Sequence, residues 1–215
     1  MAGVVGYAQK VGRVVRVLVG CEESQVVTAA FRKRGHEAYS CDLQGGRINS
    51  EWHITGDVFK AIKHRGPWDM MIVFPPCTYV TVANARHITH GCSKYTAQQA
   101  MLLQREALEF MRDLIERDIP KIAMENPIGV FSSYWRKPDQ IIQPWMFGHR
   151  ETKATCLWLK NLPPLVPTCI VGPPVTEEEK RGFAKVHRMA PGPERQRNRS
   201  VTYQGIAEAM ADQWG

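Results

Sequence analysis

Two short stretches of this chain hold the residue types best suited to chemistry. In the first, residues 70–74 form an apolar run that stops at Pro75 and Pro76, and Cys77 follows at once. A short apolar run bounded by breakers reads as a buried strand of a parallel sheet. Proline cannot continue a ladder, so Cys77 falls just past the strand's carboxyl end. In open α/β sheets ligands bind at that edge. A thiol placed there is a nucleophile once something lowers its pKa; the alternative is a small buried residue with no chemical role. In the second stretch, residues 120–124 read as another strand, followed by Glu125, Asn126 and Pro127. An acid again stands at a strand's carboxyl end, now under a proline turn. A carboxyl group held there can protonate, or hydrogen-bond to, a ring nitrogen.

The elements that must position these groups follow from the rest of the chain. Residues 14–20 are a first strand, Gly20, Cys21, Glu22, Glu23 and Ser24 make a tight turn, and residues 25–34 have helical period up to Gly35. Strand, turn and helix in that order open a Rossmann-like unit. Glu22 and Glu23 repel phosphate and attract a cation, so a sulfonium- or amine-bearing cofactor suits this turn better than a dinucleotide; the alternative is plain complementation of the helix dipole. A second strand, residues 36–41, ends at Asp42 and Leu43, where an acid is placed to bind ribose hydroxyls. A short third strand ends at residues 55–58, where Asp57, next to Val58, either accepts from an adenine amino group or simply caps a helix. Residues 68–74 are the fourth strand. Residues 78–95 are polar without apolar period and read as a mobile loop over the site.

A long amphipathic helix spans residues 97–116, and the fifth strand leads into Glu125. Residues 134–150 are irregular, residues 155–159 are a sixth strand preceded by Lys153, and residues 206–214 close the chain as a short helix. Between them, residues 163–193 are rich in proline and glycine, with a charged centre at 177–181 and a basic end at Arg188, Arg195, Arg197 and Arg199. No repeat and no second domain is visible. The expectation is a loose leader over residues 1–12 and one α/β domain over 13–215, built on a mostly parallel, doubly wound sheet.

The 215 residues suit a single domain with a sizeable core. A hydrophobic share of 44% and a charged share of 23% are ordinary for a globular protein, and the net charge of +7 favours a polyanionic partner. No apolar run approaches a membrane span, and the start lacks the charged-then-apolar order of a signal peptide. The six cysteines include no CxxC pair and read as reduced thiols of a cytoplasm. His87, His90 and Cys92 are metal-ligand types, but no second pair lies near, so no metal site is expected. Basic residues of the same loop are better read as phosphate contacts.

A strand ending Pro76-Cys77, a later strand ending Glu125-Asn126, and Asp42 and Asp57 in this order resemble the cytosine-C5 DNA methyltransferase family, over about residues 14 to 215. The likeness is to a small, phage-like form. It implies a Rossmann-like class I methyltransferase fold, a cytoplasmic protein of a bacterial host, S-adenosylmethionine as cofactor and DNA as partner; no protein partner is indicated. By the resemblance Cys77 attacks C6 of the target cytosine, Glu125 holds or protonates N3, and C5 takes the methyl group. The base must leave the duplex stack to meet both groups. Gly20, Cys21, Glu22, Glu23, Ser24, Asp42, Leu43, Asp57, Val58 and Pro75 then line the cofactor pocket. Thr78, Arg86, His87, Lys94, Arg195 and Arg197 face DNA.

Three departures from the family pattern matter. The first turn is not glycine-rich. The family's Gln-x-Arg-x-Arg segment reads Glu151-Thr152-Lys153-Ala154-Thr155, leaving Lys153 to meet the cytosine O2. The Gly-Asn-Ser-Val segment reads Asn198-Arg199-Ser200-Val201, with Arg199 and Ser200 beside the cofactor's methionine part. A guanidinium near a sulfonium needs compensation. It pairs with Glu22 and Glu23, or points to a DNA phosphate, or binds the added carboxylate of carboxy-S-adenosylmethionine, which gives 5-carboxymethylcytosine. No recognition domain fits in residues 163–197, so little sequence preference is expected. RNA or nucleotides as substrate, and a catalytically idle nucleic-acid binder, are the competing readings.

Overall fold

The computed structural model describes residues 13–184, 189 and 193–215; residues 1–12, the expected leader, lie outside them. β1 (Arg16–Gly20) is the fold's pivot: Val17, Leu18 and Val19 are wholly buried. Alternate strand residues face opposite sides of a sheet. Val17 and Val19, with Met70 and Ile72 of β4 (Met70–Val73), enter one core. Leu18, Met71 and Val73 enter the other. Helices α1 (Val26–Lys33) and α8 (Gln204–Trp214) cover the first face with Val27, Phe31, Met210 and Trp214. Helices α2 (Val58–Arg65) and α4 (Ala97–Ile115) cover the second with Val58, Leu108 and Met111. A sheet buried on both faces explains why its strands read as continuous apolar runs.

With β2 (Glu37–Asp42), β3 (His53–Thr55), β5 (Lys121–Pro127), β6 (Gln140–Ile142) and β7 (Thr155–Lys160), the sheet has seven strands in the order β3-β2-β1-β4-β5-β7-β6. β7 runs antiparallel to β5 and to β6, and the other pairings are parallel. The fold is therefore α/β, a mostly parallel doubly wound sheet of the Rossmann-like type. Strand order reverses between β1 and β4, and ligands of such sheets bind in the crevice that this reversal opens. Because β7 is reversed, its first residues lie at the carboxyl edge of β5: Thr155 is opposite Pro127. That brings Lys153 to the same edge as Cys77 and Glu125.

Two elements differ from the sequence expectation. Part of the polar stretch 78–95 is helical, as α3 (Ala85–His90), which packs on α4. β6 arises inside the stretch read as irregular, stitched to β7 by only three register pairs. Two further short helices, α5 (Phe131–Tyr134) and α6 (Glu177–Gly182), precede α7 (Pro193–Ser200), whose basic residues pack back toward the sheet edge. Among the described residues no helix is long and apolar enough to cross a membrane.

Candidate active site

β4 and β5 lie side by side with Val73 opposite Met124, so both chains leave the sheet at one level. Beyond it, β4 continues as Phe74, Pro75, Pro76 and Cys77, and β5 as Glu125 and Asn126. The buried Asn126 side chain donates to the Pro75 carbonyl at 2.8 Å, tying the proline turn to β5. The following loops pair as well. Thr81 bridges Gly129, and the Val130 amide donates to the Val80 carbonyl at 2.9 Å. A Cβ on Gly129 would lie 2.1 Å from that carbonyl oxygen, so only glycine permits this approach. Gln104 of α4 holds the Tyr79 carbonyl at 2.9 Å, and Asn84 holds that of Thr78. The segment after Cys77 is thus braced from β5 and α4.

Cys77 is half-buried, and its thiol is pushed up by burial and by Glu125, while Lys153, its own backbone amide and Arg199 pull it down. Glu125 is pushed up by burial, against Lys153 and Thr155. The four groups Cys77, Glu125, Lys153 and Arg199 therefore share one electrostatic neighbourhood. A cavity of ≈ 10 Å³, lined by Glu125, Lys153, Thr155, Phe74 and Tyr203 among others, lies there. It has room for about one water molecule. Among the described residues the buried Tyr203 hydroxyl has no hydrogen-bond partner, and burial with Glu151 nearby raises its pKa. Tyr203 carries no motif in the sequence, and Thr155 only closes the Glu151-to-Thr155 segment, where the family pattern has an arginine. Their signal is positional only: Thr155 opens the strand reversed against β5, and Tyr203 caps α8 three residues after α7 ends.

At the carboxyl ends of β1, β2 and β3, Asp42 and Asp57 converge on Cys21. The Cys21 thiol is pushed up to about 12, mainly by burial, with Asp42, Cys41 and Asp57 adding to it. Asp57 caps α2 through the Lys60 amide at 3.0 Å, and one Asp42 oxygen accepts from the Gln44 amide at 2.9 Å. Leu43 is 78% exposed beside them, an apolar surface next to acceptors. Val58 and Pro75 are buried; a Cβ on Gly20 would come within 2.9 Å of the Val58 side chain, so glycine lets β1 end tightly against α2. Acceptors for a ribose diol and an amino group, an apolar face and net negative charge form a donor set that fits a cationic nucleoside cofactor.

Glu22 and Glu23 take other roles than the cofactor contacts expected of them. Glu22 is buried and turned inward, accepting from the Val27 amide at 2.6 Å, the Thr28 amide at 3.3 Å and the Thr28 hydroxyl at 2.7 Å. It caps α1, with Ser24 also bonded to it, and burial raises it to about 7. A helix start demands acceptors for its free amides, and Glu22 supplies them. Glu23 is gripped by Arg47, whose Nε is 2.7 Å away, and by Arg197, whose Nε is 2.9 Å away; these contacts, Arg47 foremost, lower it to about 2. The expected pairing of these acids with Arg199 is thus taken by Arg197, two residues earlier. The ion pair to Glu23 is made by Arg197 rather than Arg199, and the Arg199 carbonyl accepts from Lys153 Nζ at 3.1 Å.

Of the residues expected to face DNA, Thr78 sits on the braced segment after Cys77, and Arg86 and Lys94 are exposed. Arg195 is half-buried on α7 and Arg197 is committed to Glu23; Ser200, expected beside the cofactor, is exposed at the end of α7. The side chain of His87 lies outside the described residues. Among those described, no three His, Cys, Asp or Glu side chains come together as metal ligands.

No family model and no curated protein matches the chain. Among solved structures it is similar to a prophage-encoded E. coli protein named as a DNA modification methyltransferase. The identity is 14% and the TM-score 0.46, over 73% of this chain and 51% of that one. The chain thus spans about half the length of that protein.

Proposed function

We propose that this chain is a DNA cytosine-C5 methyltransferase that transfers a methyl group from S-adenosylmethionine to cytosine through a covalent bond between Cys77 and C6. The observation that carries this is the meeting of Cys77, Glu125 and Lys153 at the carboxyl edge of β4 and β5, beside the switch point. An aromatic pyrimidine carbon is a poor nucleophile until a thiolate adds beside it. Burial and Glu125 hold the Cys77 thiol above its ordinary value in the free protein, and Lys153 and Arg199 work against them in favour of the thiolate, which adds to C6 and sends its electron pair toward C5. Burial raises the Glu125 carboxyl above its ordinary value and so favours its acid form, which delivers a proton to N3 as the addition proceeds. Lys153 meets the O2 side of the ring. Once C5 carries the methyl group, its proton passes to water, the electron pair of that C–H bond expels the Cys77 thiolate and restores aromaticity, and N3 returns its proton to Glu125. The cavity at Glu125 is far smaller than a base, so the side chains that close it, Thr202 and Tyr203 ahead of α8 among them, must shift to admit one.

Asp42, Asp57, Leu43, Val58, Cys21, Gly20, Ser24 and Pro75 would hold the cofactor. When bound, S-adenosylmethionine supplies the methyl group as an electrophile. Incubating DNA with the protein and S-adenosylmethionine, followed by mass spectrometry of the nucleosides, tests the reading: 5-methylcytosine is expected, and its absence from DNA, or its formation in RNA alone, counts against it.

One observation favours a variant of this reaction. Glu23 is taken by Arg197 and Glu22 by the start of α1, so among the described residues neither acid meets Arg199, and its guanidinium would suit a second carboxylate. Carboxy-S-adenosylmethionine brings one, and the product is then 5-carboxymethylcytosine. Supplying both cofactors to the wild type and to Arg199→Asn decides this. A product ratio unchanged by the substitution removes Arg199 from cofactor choice.

A further inference from the structure

The reaction edge is held from an unexpected place. Glu23 sits on the turn after β1, about 9% exposed, and has no place in the chemistry described above. It is bound by two arginines from opposite directions: Arg47 from the loop after β2, and Arg197 from α7, 174 residues away. Arg47 also donates to the Arg197 carbonyl at 3.4 Å, so the three residues close a ring. Arg197 lies half a turn before Arg199. The Arg199 carbonyl accepts from Lys153 Nζ, and its guanidinium is among the charges acting on Cys77. The Glu23 side chain, 10% exposed, is costly to leave unpaired, whereas the Arg197 side chain, 43% exposed, gains from the pair a fixed position it would not hold in water.

We propose that Glu23 is a positioning residue: by holding Arg197 it sets where α7 lies, and α7 in turn holds the Lys153 ammonium and the Arg199 guanidinium beside Cys77. The basic residues of α7 thereby divide their labour, Arg197 anchoring the helix and Arg199 serving the reaction edge. This account rests on Cys77 as the nucleophile of the proposed reaction. Its test reads thiol ionisation alone, and so succeeds or fails independently of substrate and cofactor.

The charged groups acting on Cys77 are Glu125 from β5, Lys153 ahead of β7 and Arg199 from α7. Alkylation of the whole chain with iodoacetamide across pH, quantified on the Cys77 peptide by mass spectrometry, reports its thiolate fraction. The exposed Cys169 serves as an internal control. Relative to the high-pH plateau, Cys77 alkylation at pH 8 should fall roughly threefold in Arg199→Gln, which removes a cation directly. Glu23→Gln and Arg197→Gln should produce a loss in the same direction, while Arg197→Lys retains most of the wild-type profile and Cys169 is unmoved in all. If Glu23→Gln does not fold, Arg197→Gln carries the same test from a more exposed position. The proposal is overturned if Glu23→Gln and Arg197→Gln keep the wild-type profile while Arg199→Gln shifts it. It is equally overturned if Arg199→Gln leaves the profile unmoved.

Discussion

Asn126→Ala isolates the contact that joins the two halves of the proposed site. The Asn126 amide is 2% exposed, and it donates to the Pro75 carbonyl at 2.8 Å. Truncation leaves that carbonyl without its partner in a buried place, which costs about 1–3 kcal/mol. A chain of this size loses about 2–4 °C in midpoint per kcal/mol, so thermal unfolding should move down by roughly 2–12 °C. The larger effect is chemical. The backbone of Asn126 still pairs with Cys156 in the sheet, so Glu125 stays in place while the proline turn and Cys77 gain freedom. A displacement of about 1 Å between reacting groups costs on the order of a hundredfold in rate. Single-turnover formation of the Cys77 adduct on DNA containing 5-fluorocytosine, with protein in excess, measures it on the folded fraction. Wild-type adduct rates in a destabilised Asn126→Ala would show that this hydrogen bond does not position the nucleophile.

Glu125→Gln should lower the methylation rate by on the order of 10²–10⁴-fold while leaving cofactor binding by calorimetry unchanged, because it removes only a positioned acid; a loss under tenfold speaks against that role. Glu22, raised to about 7 by burial, holds a proton in the folded chain that the unfolded chain gives up near its ordinary value of 4.5. Its contribution to stability is therefore full below about 4.5 and declines as pH rises to about 7. Glu22→Gln should flatten that slope in pH-dependent thermal unfolding, and an unchanged slope rejects the assignment. Glu23, lowered to about 2, has the opposite sign: its contribution is present above about 4.5 and fades as pH falls toward 2, an acid-side loss that Glu23→Gln should remove from the same melts. Because residues 163–197 are too few for a folded recognition domain in that place, at most one or two bases flanking the target should matter and binding should weaken steeply with salt; base-resolution sequencing that reveals a long required sequence contradicts this.

The strands that end at chemistry are legible in the sequence because each is a short apolar run cut off by a breaker. Pro75 and Pro76 mark the end of β4, and the proline turn marks the end of β5, so the residue order alone places Cys77 and Glu125 at one sheet edge. The reversal of β7, which brings Lys153 and Thr155 to that edge, leaves no trace in an apolar run that reads the same in either direction. α3 is invisible in the sequence because six residues with little apolar character carry no helical period. The roles of Glu22 and Glu23 escape sequence reading for a different reason. Local reading sees two acids in a turn near a helix start, but Glu22 turns inward to the amides of Val27 and Thr28, while the partners of Glu23 lie 24 and 174 residues away. Charge complementarity over such separations is decided by the fold.

Denaturation-resistant trapping on DNA containing 5-fluorocytosine tests the central claim most directly. With S-adenosylmethionine present, fluorine at C5 blocks the final elimination, so the wild-type protein should migrate as a one-to-one adduct whose modified peptide contains Cys77. Cys77→Ser should form none and yield no 5-methylcytosine. Methylated cytosine produced by Cys77→Ser, or an adduct mapped to another cysteine, would contradict covalent catalysis at the edge of β4.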